Sequence, residues 1–561
     1  MLTVEHVPQS VLPWWKTTTV YQIYPRSFSD SNGDGIGDLP GILHKLDYLH
    51  ALGVETIWIS PFFESPQADF GYDIRDHFSI AGEYGSLDDC RRLIDAVHAR
   101  GMKIVFDMVL NHTSDQHPWF LESRSSRENP KRDWYLWRDG KKPPNNWRSF
   151  LGGSGWHHDP ATDQWYWASF LPFQPDLNYR NPAVKRAMLD VVRHWLGEGV
   201  DGLRLDLFNA LFKDEAFTDN PFSFRPIPSE ENPDGFFQRN QHTINHPDTI
   251  AFARELRAVV DEFSHPPRFL VGEVFGPSSV LQQYCGPAGE GLNLVFLFKA
   301  MRSQFSAPAF RALIHEFESS FPDPLFPTWV FGNHDRPRWM ERLGNHVGKA
   351  KLLATLQLTA RGVPFIYYGD EIGMQHHELP TKDALDPVAR RFHWVPQWMA
   401  RRLRGWGILL NRDECRPPMQ WHAGPNAGFS AAGAIPWLPV HPSVSEVNVA
   451  AQQGQPHSLL SVYQRLLALR KLSPALRGGS LDLISDRELP KHVLGYRRTQ
   501  EGQGGEQATV FLNFSEREVS VALGDPLGHT LHSNLHPTPQ ARGARYTLAA
   551  HEGIILLGRP R

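Results

Sequence analysis

Several apolar runs in this sequence end in side chains that can carry acid–base or nucleophilic chemistry. A carboxyl group attacks as a nucleophile when it is ionised, and it donates a proton when its pKa is raised. Arg204 lies two residues before Asp206, so on a strand both side chains point to the same side. The guanidinium would there keep the carboxylate ionised and oriented. The full set comprises Asp107 with Asn111-His112, Arg204 with Asp206, Glu273, and Asn333-His334-Asp335.

The elements that would position these residues are short apolar runs that alternate with amphipathic helical patterns. Apolar strands separated by helices predict a parallel sheet covered on both faces, and eight such units predict a closed (β/α)8 TIM barrel of the α/β class. Barrel enzymes build their active sites at the C-terminal ends of the strands, where these polar residues fall. The predicted strands are Val20–Ile23, Thr56–Ser60, Lys103–Leu110, Gly202–Phe208, Phe269–Val274, Leu292–Phe298, Thr328–Phe331 and Val363–Tyr368.

Two segments interrupt the alternation. Residues 113–173 are rich in Trp, Pro, Asn and Gly and are too long for a plain loop, which predicts a small domain inserted after the third strand. From about residue 481 to 561 the pattern changes to short alternating strands, which predicts a C-terminal antiparallel β domain. Residues 1–112 and 174–480 then form the two parts of the barrel.

Composition excludes some classes of partner. The net charge is −4, so neither nucleic acid nor an anionic membrane surface is expected as a partner. No apolar run is long enough for a membrane span, and residues 1–15 show no secretion signal. The three cysteines are scattered and lack metal-ligand spacing, which favours a reducing, cytoplasmic location. The sequence gives no indication of the oligomeric state.

Five motifs in order resemble those of the α-amylase superfamily of glycoside hydrolases. The fifth is similar to the version found in the branch of α-glucosidases and oligo-1,6-glucosidases, and the resemblance runs from about Trp14 to the end of the chain. The motifs are Asp107-Met-Val-Leu-Asn-His112, Gly202-Leu-Arg-Leu-Asp206, Gly272-Glu273, Phe331-Gly-Asn-His-Asp335 and Gln174-Pro-Asp-Leu-Asn178.

This resemblance implies a retaining mechanism with three acids. Cleavage of a glycosidic bond needs two carboxyl groups that flank it. By the resemblance, Asp206 is the nucleophile, Glu273 is the general acid and base, and Asp335 binds the sugar hydroxyls and favours the distorted ring. The resemblance further implies that Arg204 orients Asp206 and that His112 and His334 donate hydrogen bonds to the glucose.

The resemblance also implies an exo-acting enzyme that takes small glucosides. In the α-glucosidase branch, the acid of the pattern Asp69-Phe-Gly-Tyr-Asp73 pairs with an arginine and grips the terminal glucose, while the tyrosine stacks on the ring. These residues are Asp69 and Tyr72 here, and the arginine matches Arg412. A bidentate pair of this kind would close the pocket behind one glucose.

A loop after the first strand resembles a structural cation site. The segment from Asp30 to Asp38 places oxygen ligands at alternate positions, as calcium binding needs, although Gly41 replaces the glutamate that ends an EF-hand loop. By the resemblance, a structural Ca²⁺, or Mg²⁺ in its place, is bound through the side chains of Asp30, Asn32, Asp34 and Asp38 and the carbonyl of Ile36.

The sequence leaves several alternatives open. Leu207, which follows Asp206, matches neither the 1,6-acting nor the 1,4-acting pattern of the family. Residues 207–245 and 375–411 follow no recognisable pattern, and the second segment is expected to wall the aglycone site. The alternatives are a transglucosylase, an oligo-1,6-glucosidase, a hydrolase of a specialised glucosylated small molecule, an endo-amylase, and a catalytically silent binding protein. The intact acids argue against the last.

Overall fold

The computed structural model describes residues 12–405, 408–502, 504–523, 529–537, 539 and 544–560. Its centre is one sheet of eight parallel strands. In chain order we name them β1 to β8, and their order in the sheet is β6-β5-β4-β3-β2-β1-β8-β7. The strands are β1 Val20–Ile23, β2 Thr56–Ile59, β3 Lys103–Val109, β4 Gly202–Asp206, β5 Phe269–Gly272, β6 Leu294–Val295, β7 Thr328–Val330 and β8 Val363–Tyr367.

The sheet closes between β6 and β7 through a side chain. The Thr328 hydroxyl accepts a hydrogen bond from the Leu297 N–H and donates one to the Val295 carbonyl, each at 2.9 Å. Strand residues from around the ring, among them Trp58 and Phe365, pack into one apolar cluster inside it. The predicted TIM barrel is therefore confirmed.

Helices cover the outside of the sheet and return the chain from each strand to the next. Ser86 and Asp89 form a capping box at the start of one, and Asn181 caps another that begins with Pro182. The helical segment that joins β1 to β2 is broken at Lys45, and its second half ends at Gly53 with φ 101°. The main helices are Leu39–His44, Leu46–Leu52, Leu87–Ala99, Pro182–Gly197, Pro247–Asp261, Ser278–Cys285, Ala307–Ser320, Val347–Thr359 and Leu459–Leu472.

The segment after β3 forms a small separate unit. It contains the helix Pro118–Ser125 and a three-stranded antiparallel sheet of Trp137–Arg138, Trp156–Asp159 and Gln164–Trp167. Trp147, Trp156 and Trp167 form its own apolar cluster. Lys213, from the segment after β4, forms a buried ion pair with Asp176, where this unit returns to the barrel.

An antiparallel β domain follows the barrel. Its five-stranded sheet consists of Ser480–Leu483, Val493–Gln500, Glu506–Asn513, Gly553–Gly558 and Thr530–Ser533, in that order. Val519–Ala522 pairs with Arg545–Leu548 in a second, two-stranded sheet. Buried Arg498 donates to the Thr359 carbonyl at 2.7 Å, which ties this domain to the helix after β7.

The described part of the chain also contains a two-stranded antiparallel sheet of Phe63–Glu64 and Asp76–Ile80, short 3-10 helices and several shorter α-helices. The shorter α-helices are Trp14–Thr17, Pro25–Phe28, Trp339–Arg342, Pro387–Arg391, Gln397–Gly405, Val449–Gln452 and Pro474–Gly478. Within the residues that the structure describes, no helix combines the length and apolar character needed to cross a membrane.

Candidate active site

Three barrel strands bring their carboxyl groups to one guanidinium. Arg204 on β4 donates to Asp107 on β3 at 2.7 Å, to Asp206 at the end of β4 at 2.8 Å, and to Glu273, directly after β5, at 2.8 Å. Arg204 is 1% exposed. The parallel register places these strand ends side by side, so the motifs predicted from the sequence meet at one point.

One positive charge cannot balance three buried carboxylates. Burial raises the pKa of Asp206 to about 7 and that of Glu273 to about 7, although Arg204 opposes the rise in both. Burial likewise raises the pKa of Asp107 to about 6. The cluster therefore retains a proton near neutral pH, which provides an acid.

Asp335 follows β7 and has a different electrostatic environment. Burial alone would raise its pKa, but His334, Arg412 and Arg416 outweigh that effect and hold the pKa below its usual range. Burial also keeps the pKa of His334 well below 6.5, so the imidazole is neutral and the arginines supply the charge. Arg416 lies 2.9 Å from the Asp335 carboxylate, which stays ionised across the physiological range.

His334 is held by a chain of side chains across the barrel. Gln22 on β1 bonds its Nδ1 at 2.7 Å, and the Tyr72 hydroxyl bonds its Nε2 at 2.5 Å. The Tyr72 and His334 rings also stack, with their planes 3° apart. Tyr72 donates in turn to Asp107 at 3.1 Å, so the two predicted sugar-binding residues form part of one network with the acids.

His112 contacts the backbone of Tyr72. Its Nε2 is 3.1 Å from the Tyr72 carbonyl, and burial lowers its pKa to about 4, so this imidazole is also neutral. A neutral imidazole has one N–H, and the carbonyl accepts it here, so His112 can donate to a sugar hydroxyl only in exchange for that bond. His112 is one of the residues that line the cavity.

The predicted pair of Asp69 and Arg412 forms, with a third member. Arg412 Nη2 is 2.6 Å from Asp69 and 2.7 Å from Asp386, and its Nε donates to Asp386 at 3.0 Å. Asp386 also accepts the Arg412 backbone N–H at 2.8 Å. All three side chains are buried. The guanidinium is therefore fixed at one end of the cavity by two carboxylates.

Sequence reasoning missed Asp386, Arg416 and Gln22. Asp386 carries a local signal, because it precedes Pro387 and caps a short helix through the Val388 N–H at 3.0 Å. That signal predicts a helix start and nothing about Arg412. Arg416 follows Arg412 by one turn in the same stretch of sequence, but its contact with Asp335 depends on a path of the chain that spacing does not reveal.

Leu207 adopts an uncommon backbone conformation directly after Asp206. Its φ and ψ are both positive and lie in the left-handed region, which disfavours residues other than glycine. Its N–H points to the Glu273 carboxylate at 3.4 Å, and Phe208 N–H donates to the Glu273 carbonyl at 3.1 Å. The strained residue thus lies between the two candidate catalytic acids, and these hydrogen bonds link the backbone after Asp206 to Glu273.

These residues surround one cavity of about 400 Å³. Asp69, Tyr72, His112, Asp206, Glu273, Asp335 and Arg412 line it directly, while Arg204 and His334 lie behind them. The segment 375–411 supplies part of the wall, as expected, and the segment 207–245 supplies another part. Most of the remaining lining is apolar, and comprises Phe150, Leu151, Phe170, Leu207, Ile227, Pro228, Pro233, Phe236, Phe275, Phe298, Val388, Phe392, Leu403, Ile408, Leu409 and Leu410.

The loop predicted to bind calcium folds as consecutive turns. Asp30 accepts the N–H groups of Asn32, Gly33 and Gly35, Asn32 accepts that of Asp34 at 2.9 Å, and Asp34 accepts that of Ile36 at 2.8 Å. Asp38 caps the next helix through the Gly41 N–H at 2.6 Å.

The oxygen donors of this loop suit a hard cation such as Ca²⁺. The carboxylate oxygens of Asp30, Asp34 and Asp38, however, do not all come within 4.8 Å of one another. Binding would have to draw them together. Among the described residues, the group that meets that distance is His346, Glu516 and His551, and Lys349 already supplies a cation to Glu516 at 3.1 Å.

Comparison with known proteins agrees with this fold. The family model for the α-amylase catalytic domain matches residues 22–479. A probable α-glucosidase of Rhizobium meliloti is 40% identical over 529 residues, which cover 91% of each chain. An oligo-1,6-glucosidase of Parageobacillus thermoglucosidasius is 37% identical over 541 residues, which cover 91% of this chain and 92% of that one.

Solved structures give the same result. An α-glucosyl transfer enzyme superposes with a TM-score of 0.86 at 37% identity, over 98% of this chain and all of that one. The trehalulose synthase of Pseudomonas mesoacidophila MX-45 superposes with a TM-score of 0.83 at 35% identity, over 97% and 99% of the two chains. The match to the family model and the similarity to these relatives show that this chain belongs to the α-amylase family of glycoside hydrolases.

Proposed function

We propose that this protein is a retaining, exo-acting α-glucosidase that releases α-glucose from the non-reducing end of short α-glucosides. The observation that carries the proposal is the pairing of two features in one cavity. Asp206 and Glu273 share Arg204, which provides the two carboxyl groups of a double displacement. Arg412, held by Asp69 and Asp386, forms a polar end suited to the hydroxyls of one terminal glucose.

The proposal gives each acid a role. Asp206 attacks the anomeric carbon, the glycosidic bond breaks, and Glu273 gives its proton to the departing oxygen. Water then attacks the same carbon, Glu273 takes the proton, and the bond to Asp206 breaks. Asp335, ionised beside Arg412 and Arg416, accepts hydrogen bonds from the sugar hydroxyls.

Substrate size is the next part of the proposal. The relatives named α-glucosidase and oligo-1,6-glucosidase support a small glucoside as the substrate, and the buried position of the Asp69–Arg412 pair supports attack from a chain end. An endo-acting enzyme would need an open groove where this pair lies. The linkage is left to experiment, because Leu207 matches no family pattern.

Transglucosylation is the second candidate function. A sugar hydroxyl and water compete for the same covalent intermediate, and the similar structures include a glucosyl transfer enzyme and a trehalulose synthase. The proportion of transfer products at high substrate concentration measures this balance.

A structural Ca²⁺ in the loop Asp30–Asp38 is part of the proposal, with Mg²⁺ as the alternative. The alternating oxygen donors support it, and binding would have to draw the carboxylates of Asp30, Asp34 and Asp38 together. A cytoplasmic location is proposed as well, because the three cysteines are free and buried.

A substrate panel tests the proposed function. Maltose, isomaltose, nigerose, kojibiose, sucrose, trehalose and soluble starch are incubated with the protein, and the products are separated by chromatography. Glucose from one or more disaccharides, with starch viscosity unchanged, is expected. Rapid loss of viscosity would show an endo-acting enzyme. Asp206→Asn is the control, because it removes the charge of the attacking oxygen, and turnover within tenfold of the wild type would overturn the assignment.

A further inference from the structure

The lining of the cavity contains two chemically different groups of residues. Asp69, Arg412 and the acids are polar, whereas most of the remaining lining is apolar. Several of the apolar side chains, including Phe236, Phe392 and Leu410, are only partly buried, although they lie in a cavity. They therefore leave apolar surface free to contact a ligand.

Three of the remaining polar lining residues are committed to one another. Glu230 forms ion pairs with Arg302 at 3.2 Å and with Arg336 at 2.5 Å. These two arginines hold the pKa of Glu230 below its usual value despite its burial. A second sugar bound here would place most of its hydroxyl groups against apolar side chains, where unpartnered hydroxyls are unfavourable.

The backbone is strained at one point of the apolar lining, Phe236. Phe236 and Phe237 both have positive φ values, in the left-handed region that bulky residues avoid. Backbone bonds to Pro226 and Arg225 hold them there. A Cβ on Gly152 would lie 3.0 Å from the Phe236 ring, so a glycine with φ 78° is needed where the ring meets the inserted unit. Strain of this kind is typical of ligand-binding positions.

We propose that the aglycone side of this cavity takes an apolar alcohol, with an aromatic or cyclic alkyl group, in preference to a second sugar. The inference rests on the proposed function. The bond from the anomeric carbon to the aglycone oxygen breaks as Glu273 protonates that oxygen. In the reverse sense, the hydroxyl of such an alcohol attacks the glucosyl-enzyme, Glu273 takes its proton, and the bond to Asp206 breaks.

The test compares benzyl α-glucoside with methyl α-glucoside. The two alcohols have similar acidity, so a difference in kcat/KM reports binding on the aglycone side and not the quality of the leaving group. We expect benzyl α-glucoside to be turned over with a kcat/KM at least about tenfold higher, since burying apolar groups in a hydrophobic pocket has this effect. With maltose as donor, benzyl alcohol should accept glucose more efficiently than glucose itself.

Two variants locate the effect. Ile227→Gln changes a partly exposed residue of the apolar lining, and Phe392→Asn changes a second one. Each should lower kcat/KM for benzyl α-glucoside several-fold more than that for methyl α-glucoside. Leu472→Gln is the matched control, because Leu472 is 81% exposed and does not line the cavity, and it should leave both values unchanged.

Failure of the inference is distinct from failure of the proposed function. Equal kcat/KM values for the benzyl and methyl glucosides, or a ratio that neither cavity variant alters, would overturn the apolar aglycone site while the hydrolase remains. No glucose from either glucoside or from any disaccharide, with the protein folded, would overturn the proposed function itself.

Discussion

Around Arg204, a single guanidinium faces three buried carboxyl groups, and this imbalance is the main electrostatic fact of the site. Desolvation disfavours each carboxylate, so their pKa values rise toward neutrality despite the arginine. Asp335 lies nearby but is paired with Arg416 and Arg412, and it stays charged. The same kind of group thus provides an acid and a charged sugar ligand within one cavity.

Glu273→Gln tests the role of the proton donor. The amide cannot give a proton to the leaving oxygen, so kcat/KM for maltose should fall by about 10²-fold or more. An activated aryl α-glucoside, whose leaving group needs little protonation, should lose far less. Losses of equal size on the two substrates, measured by glucose release, would contradict the assignment of Glu273 as the acid.

Much of the catalytic set could be predicted at the residue scale, because each candidate catalytic residue lies within a short motif that the sequence alone displays. The resemblance of the motifs to those of the family predicts the roles of Asp206, Glu273 and Asp335, and the structure brings these residues to one cavity. Gln22 gave no signal, because a glutamine in a buried strand becomes meaningful only when its contact with His334 is seen.

At the scale of elements, the short helix Pro387–Arg391 controls the position of Arg412. Asp386 caps this helix and also accepts three bonds from Arg412. Asp413 receives the backbone N–H groups of Leu385 and Asp386 at 2.7 and 3.1 Å, which fixes the turn. Asp386 is therefore a positioning residue for the glucose-binding end of the cavity.

Asp386→Asn separates positioning from folding. Asparagine caps a helix as well as aspartate does, but both oxygens of buried Asp386 accept hydrogen bonds, so the amide leaves one donor without an acceptor and the melting temperature should fall moderately while the protein still folds. The lost charge frees Arg412, and KM for maltose should rise by about tenfold with a smaller change in kcat, as expected for binding shared by substrate and transition state. Asp383→Asn, at an exposed position nearby, is the control. An unchanged KM would argue against this role.

The loop Asp30–Asp38 gives a metal-removal prediction. Chelation of Ca²⁺ should lower the melting temperature, and added Ca²⁺ should restore it, because an ion that binds only the folded state stabilises it. Asp34→Ala removes an exposed ligand candidate and should abolish this dependence. Identical melting curves with and without chelator would show that the loop is held by its turn hydrogen bonds alone.

All eight strands could be predicted from apolar runs, although several runs extended past the strand that forms. The predicted segment Leu292–Phe298 contains only the two-residue strand β6, because the chain leaves the sheet and Thr328 bridges the gap. The break at Lys45 had no proline or glycine to mark it. Both features depend on how distant elements pack, which local patterns do not encode.

At the scale of the whole molecule, the site links activity and stability to pH. The pKa of Glu273 is raised to about 7, from an unfolded value of about 4.3. Its protonated form is the acid, so kcat/KM should fall as pH rises above about 7. Because the folded state binds this proton more tightly than the unfolded state does, protonation of Glu273 stabilises the fold. This stabilisation is fully present below the pKa of the unfolded state and is lost as pH rises through the pKa of the folded state.

The melting temperature should therefore decrease between pH 5 and pH 8, and it should decrease less in Glu273→Gln. Burial also raises the pKa of Asp206, so Glu273→Gln should reduce the pH dependence of the melting temperature without removing it. Thermal denaturation and kcat/KM measured in one buffer series check both trends. If the fall in kcat/KM above about pH 7 is unchanged in Glu273→Gln, a group other than Glu273 causes that fall.

The central claim is a double displacement that begins with attack by Asp206, and NMR of the first product tests it most directly. Glucose released from p-nitrophenyl α-glucoside is observed before mutarotation equilibrates the anomers. The account predicts that α-glucose appears first and that the β anomer grows only at the rate of mutarotation. Initial release of β-glucose would show a single displacement by water and would contradict the assignment of Asp206 as nucleophile.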